Sequence, residues 1–317
     1  MTLNNLKKFV ETKKSHTYLM ATSPFKRPIQ TVTLMLCLFS IASLGANWFV
    51  YNFPGNNYIF HSSVTNCIWL FFSFLILSYK LDVKTISRKD AKEYFIYILI
   101  ILLVAFGLNA IQYTPYAPID RYIIKLEHYL HLDTLACIGW LRRHETLADS
   151  FDFIYRLIGL ELFALPIVAI FFKKYYYLYE YYFLLLITTL LGFIFYYFFP
   201  TTGPASIFHI PIFSDEQIAT GLKFQELHHY QEPSTVAGGM IAMPSYHVIW
   251  AYLIAYFTRF NPYVCVIVTS INLLIIASCV LLGWHYLLDV IGSLFTVLIA
   301  LWIKNRCRIS SVGYNYE

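Results

Sequence analysis

Runs of about 20 apolar residues bounded by charge recur along this chain, and a segment of that kind has few structural options. About 20 residues of α-helix cross the roughly 30 Å of hydrocarbon in a bilayer. Inside that layer each backbone N–H and C=O must be satisfied within the segment, which leaves the helix as the natural form for an isolated run. Eight such runs are predicted, at residues 30–51, 61–79, 94–113, 153–172, 180–199, 244–259, 263–282 and 285–303. The sixth is the shortest. Composition closes the soluble alternative, because 58% of the 317 residues are hydrophobic and only 13% are charged. A globular domain spends about twice that charged share on its surface. The expected fold is therefore all-α, a polytopic transmembrane helix bundle of about eight spans.

The same figures exclude a disordered chain, which needs low hydrophobicity. Six cysteines are too sparse for a disulfide framework; Cys37, Cys67, Cys265 and Cys279 lie in apolar runs and Cys307 in a basic tail. Cys137 sits in a polar connection. Residues 1–27 lack the apolar core and small-residue cleavage site of a secretory signal, so the first helix reads as a retained anchor. Residues 1–29 form a basic cytoplasmic segment, 30–303 one transmembrane domain and 304–317 a cytoplasmic tail.

A net charge of +5 suggests nucleic acid only until the basic residues are placed. They fall in short clusters between the apolar runs, as topology signals do. One side of the expected membrane receives 17 of the 23 Lys and Arg, among them Lys26, Arg27, Lys89, Lys173, Arg259 and Lys304. The other side holds Arg121, Lys125, Arg142, Arg143 and Lys223, with Arg156 just inside the fourth run. Both termini are predicted cytoplasmic, in what is expected to be a bacterial inner membrane. The partner expected is a membrane lipid, and no nucleic acid.

Two long connections, residues 114–152 and 200–243, fall on the less basic side. In the first, Ile123, Leu126, Tyr129 and Leu130 recur at helical spacing among Asp120, Arg121, Lys125 and Glu127. This predicts a helix in the interface plane, apolar stripe toward the headgroups and charged face wet. A solvated loop packed on the bundle is the other reading.

The chemistry-bearing residues concentrate in the last quarter. Met243-Pro244-Ser245-Tyr246-His247 opens the sixth run, with Pro244 expected in the first helical turn. Free N–H groups at a helix N-terminus, with the Ser245 hydroxyl, form a ready anion site that His247 would face. Taken alone, Ser245 reads equally as a helix cap and His247 as an interfacial residue. Gly283-Trp284-His285-Tyr286-Leu287-Leu288-Asp289-Val290-Ile291-Gly292 opens the eighth run. His285 and Asp289 are four apart and expected on one helix face, where the carboxylate orients the imidazole and leaves its other nitrogen basic. An interhelical ion pair is the bland alternative, but an ionisable group inside a span is costly and usually marks function. One helix leads away from His247 and the next returns to His285, so both histidines are expected at the same face. Two histidines and one aspartate beside a helix N-terminus suit phosphoryl transfer, one histidine attacking phosphorus and the other protonating the leaving oxygen.

These residues resemble a known family. Pro244-Ser245-Tyr246-His247 followed by His285-Tyr286-x-x-Asp289-Val290-x-Gly292 is similar to the second and third signature motifs of the type 2 phosphatidic acid phosphatase superfamily. The resemblance runs from about residue 200 to the last helix. It implies that His285 is a nucleophile forming a phosphohistidine, Asp289 its orienting partner, His247 the acid for the leaving group and Ser245 a phosphate ligand, with no metal and no cofactor. The first motif of the phosphatase branch, Lys followed by Arg-Pro, is missing here, and so is the Arg of its third motif, where this chain has Ser278-Cys279. The segment Phe199-Pro200-Thr201-Thr202-Gly203-Pro204-Ala205 instead resembles the inositol-phosphorylceramide synthase branch. Fewer cations suit a phosphodiester, with its single charge, better than a dianionic monoester. Gly203, Pro204, Lys223 and Tyr286 complete the expected substrate-binding set, and His209, His228 and His229 offer further charge. The implied activity is lipid phosphotransfer at the extracytoplasmic face. A plain lipid phosphatase, with water as acceptor, and a non-enzymatic transport protein on the same fold are the alternatives. The broken midplane helices and repeated halves usual in transporters are not evident.

Overall fold

The computed structural model describes residues 24–54, 68, 72, 88–208, 210–235, 239 and 241–313, the side chains of 88 and 308–313 excepted. All regular structure among them is helical. In chain order the helices are α1 (Lys26–Phe49), α2 (Arg88–Ile111), α3 (Asp120–Tyr129), α4 (Thr134–Arg142), α5 (Glu145–Phe171) and α6 (Tyr175–Phe198). They continue with α7 (Pro204–Ile207), α8 (Asp215–His228), α9 (Tyr246–Phe257), α10 (Pro262–Leu281) and α11 (Leu287–Gly313), and a 3-10 turn, Thr258–Phe260, extends α9.

Among the described residues six helices are long and apolar enough to cross a membrane: α1, α2 from Lys89, α5, α6, α10 and α11 to Cys307. This is a multi-pass membrane protein, but the expected count of eight spans is not what the structure describes. The run at 61–79 lies almost wholly outside the described residues, as do the basic residues ahead of 24. The run at 244–259 forms a helix of only 12 residues, about 18 Å at 1.5 Å per residue. It manages with that length because α5, α6, α10 and α11 pack around it, so Val248, Ile249, Ala251, Leu253 and Ile254 are buried among protein side chains.

The central element is α6, which packs against α1, α2, α5, α9 and α11. Its sequence is apolar all round, the pattern of a helix enclosed by others. At one end of the bundle Glu180 of α6 pairs with Arg259 and with Lys304 Nζ at 2.9 Å, and Tyr256 donates to it at 3.2 Å. Nearby, Asp90 of α2 accepts from Lys173 and Tyr175. Such buried ionic groups add little net stability, but they oppose any sliding of α2, α6, α9 and α11 past one another.

The other end carries the short helices. The amphipathic segment forms α3, with Leu126, Tyr129 and Leu130 exposed but Ile123, expected in the same stripe, buried against Tyr286 and Leu288. Its charged face is the surprise: Asp120 and Glu127 are 1% and 5% exposed and point into the protein. Cys137, expected in a loop, lies in α4, which Asp133 caps by accepting the Ala136 N–H at 2.8 Å. A capping box of Ser214 and Gln217 starts α8.

Candidate functional site

Ser245 is the N-cap of α9, its hydroxyl accepting the Val248 N–H at 3.4 Å. Its own N–H donates to Ser293 Oγ at 2.7 Å, and that hydroxyl donates to the Asp289 carbonyl at 2.5 Å. The start of α9 is thus pinned to α11. Pro244 precedes the cap and does not stand in the first turn, because the Ser245 side chain, an oxygen acceptor, is the better terminator. The Met243 side chain rests on Gly292 of α11, where a Cβ would meet its flexible end, Cε, at 2.5 Å.

Helix α11 begins at Leu287, two residues later than its apolar run. His285 and Asp289 therefore do not share a helix face; they meet across the helix N-terminus. Asp289 Oδ2 accepts the Tyr286 N–H at 3.0 Å and faces His285 Nδ1 at 3.3 Å. The next two amides are held from outside the helix, Leu287 N–H by Thr134 Oγ1 at 3.1 Å and Leu288 N–H by Glu127 Oε1 at 3.1 Å. Thr134 in turn donates to Glu127 at 2.8 Å. Buried helix ends need such acceptors.

Asp120 performs a parallel task for the loop at 200–204. Its carboxylate accepts the Thr202 and Gly203 N–H groups, all at 3.0 Å. Burial pushes Asp120 up to about 6 despite the Thr202 amide, which favours the charged form, and the Asp289 charge adds to the rise. Asp120, Glu127 and Thr134 were not expected at the site. The available signal was that Asp120 and Glu127 stand seven residues apart, on the same helix face as Ile123.

The three expected catalytic groups converge. The rings of His247 and His285 lie 6.5 Å apart between centroids, and Asp289 stands behind His285, fully buried. Both histidines line a cavity of about 560 Å³. Gly203 and Pro204 line it beside them, as do Tyr155, Trp284 and Gln217. Away from the histidines its walls are apolar: Ile101, Val104 and Leu108 of α2, Leu162 and Phe163 of α5, and Phe193 of α6. Phe163 is eight residues beyond Tyr155, so the cavity descends about 12 Å along α5.

The other expected substrate contacts are not brought to this cavity. Ser245 and Tyr286 are wholly buried, Ser245 as a cap. Lys223 is 2% exposed on α8, where burial pulls its ammonium down to about 8. His228, at the end of α8, is pulled down to about 4 by burial, and His229 Nδ1 lies 2.7 Å from the Gln225 carbonyl. His209 lies outside the described residues. Among the described residues no group of three or more His, Cys, Asp or Glu is placed to hold a metal ion. An imidazole held at one nitrogen by a carboxylate, a second imidazole 6.5 Å from it between ring centroids, and a cavity lined by both and by apolar side chains suit nucleophilic attack and proton transfer on the polar end of an amphiphile.

Residues 121–303, more than half of the chain, match the family model described as PAP2 superfamily. No curated protein and no solved structure matches the chain.

Proposed function

Because the chain belongs to the PAP2 superfamily, the type 2 phosphatidic acid phosphatases, we propose that it transfers the phosphoryl or phosphodiester group of a membrane lipid through a phosphohistidine. The observation that carries this reading is one cavity lined by both histidines and by apolar side chains that extend about 12 Å along α5. A phosphate at His285 leaves room there for the proximal part of an acyl or isoprenyl chain.

In the first step His285 Nε2 attacks phosphorus, the bond from phosphorus to the leaving oxygen breaks, and His247 gives that oxygen its proton. Asp289, 3.3 Å from His285 Nδ1, fixes the tautomer and balances the positive imidazole. In the second step water or an alcohol attacks the phosphohistidine, His247 takes the incoming proton, and His285 is released. Gly203 and Pro204, beside the histidines, are the expected supports for the phosphate. The missing Lys and Arg of the phosphatase branch favour a diester donor and a lipid alcohol as acceptor, as in inositol-phosphorylceramide synthases. The distribution of Lys and Arg supports an extracytoplasmic site, so a reporter fused after Lys223 should report outside and one after Lys89 inside.

The test is lipid mass spectrometry on membranes of a host lacking such activity, with wild type and His285→Ala. Head-group exchange between lipids identifies a transferase, and release of inorganic phosphate from a monoester identifies a phosphatase. Equal lipid profiles for wild type and His285→Ala would overturn the proposal.

A further inference from the structure

Three rings stand in nearly parallel layers in the cavity wall. Tyr155 of α5 stacks on His247 with centroids 4.3 Å apart and planes 15° apart. On Trp284 it stacks at 5.9 Å and 3°. The Tyr155 hydroxyl lies 3.4 Å from His247 Nδ1. All three residues line the cavity. Trp284 is covalently next to His285, so the stack connects the segment carrying one histidine to the helix carrying the other.

We propose that Tyr155 is the positioning residue of His247, holding its ring at a fixed distance and orientation from His285. The inference rests on the reading of His247 as the proton donor to the leaving group. Stacking fixes the plane of the imidazole, and an offset stack resists displacement by rotation. The phenol oxygen lies 3.4 Å from Nδ1 on the stacked side of the ring and leaves Nε2 to exchange the proton with substrate. A phenol both donates and accepts, so it can remain the partner of Nδ1 in either charge state of the ring. The imidazolium form also lies against a π face, which favours a cation. His285 has a carboxylate for the corresponding task; His247 has a phenol and a π face. The division fits the chemistry, since a nucleophile gains from a full counter-charge while a proton donor would be weakened by one.

The variants are Tyr155→Phe, which keeps the stack and removes the hydroxyl, and Tyr155→Leu, which removes both. The probes are phosphatidic acid with eight-carbon chains, whose leaving group is a poor alkoxide, and p-nitrophenyl phosphate, whose leaving group needs no proton. Read as the single-turnover rate of phosphohistidine formation, the step in which the leaving group departs, Tyr155→Leu should be roughly 10- to 100-fold slower on the first, within the range expected of general-acid catalysis, and change the second by less than about 3-fold. Retained phosphohistidine formation from the second probe also certifies the fold. Tyr155→Phe should lose less than Tyr155→Leu, and Tyr155→Leu combined with His247→Ala should be no slower than His247→Ala alone. Equal losses on both probes, or a further loss in the double variant, would overturn the inference. If wild type turns over neither probe, the reading of the chain as a monoester phosphatase fails separately. The ¹⁵N spectrum of His247 then decides: one tautomer in wild type and two in Tyr155→Leu support the inference, and identical spectra overturn it.

Discussion

Glu127 Oε1 accepts the backbone N–H of Leu288 at 3.1 Å, across 161 residues of chain. A carboxylate on a short helix outside the long bundle thus closes the N-terminus of the helix that carries Asp289. Glu127→Ala leaves the Leu288 amide and the Thr134 hydroxyl without that acceptor, and each buried orphan costs about 1–3 kcal/mol. The expected result is a melting point several degrees lower in detergent and reduced turnover. Glu127→Gln, which keeps an oxygen acceptor, should recover most of the stability. A Glu127→Ala protein that melts with the wild type would show that the contact contributes nothing.

Asp289→Asn tests a different link, since the amide oxygen can still accept the Tyr286 N–H while the charge beside His285 is lost. Turnover should fall by about 10⁴-fold, the scale of loss when an orienting aspartate is neutralised. Melting should change little. Because Asp289 works through His285, adding Asp289→Asn to His285→Ala should cost almost nothing more in single-turnover assays. Additive losses would give the carboxylate a separate task.

The parts of this site that could be read in the sequence are those written in neighbouring residues. His285 and Asp289 are four apart, and His247 follows a proline and a cap, so motif and chemistry coincide over short stretches. Their meeting followed from one helix out and one back, and the 6.5 Å between rings agrees with it. What could not be read were non-local pairings. Asp120 holding Thr202, Glu127 holding Leu288 and Tyr155 stacked on His247 each join residues more than 80 positions apart. The sixth run is shorter than hydropathy expects of a span for a related reason: hydropathy assumes that a helix meets lipid, whereas α9 meets other helices and needs less length. The start of α11 was misplaced because apolarity continues through His285-Tyr286, although the helix begins only where its amides find acceptors.

Asp120 predicts a pH dependence of stability. Its carboxyl has a folded value of about 6 against an ordinary 3.8, so the folded chain holds the proton more tightly than the unfolded chain. The resulting stabilisation is complete below 3.8 and is lost as pH rises through about 6. Two pK units correspond to roughly 3 kcal/mol at most. Asp120→Asn should flatten the stability profile between these values and be more stable than wild type at pH 7, while its amide oxygen still accepts from Thr202. An unchanged slope in chemical denaturation from pH 4 to 7 would remove Asp120 as its source.

Gly203 has φ 83° and ψ 169°, a backbone region essentially confined to glycine. A Cβ there would also stand 3.2 Å from the Trp284 carbonyl oxygen. Gly203→Ala must therefore either rotate the loop away from Asp120, whose carboxylate accepts the Gly203 N–H at 3.0 Å, or push the segment that carries Trp284 and His285. The conformational penalty is about 1–3 kcal/mol, and displacement of Trp284 should lower turnover beyond what lost stability explains. The control is Gly45→Ala on α1, where an added Cβ meets nothing within 4 Å. There the better helix propensity of alanine should leave stability equal or up to about 1 kcal/mol higher. Thermal unfolding and kcat on the two variants separate the cases, and a Gly203→Ala protein indistinguishable from Gly45→Ala in both would show that the loop at 200–204 does not govern the geometry of His285.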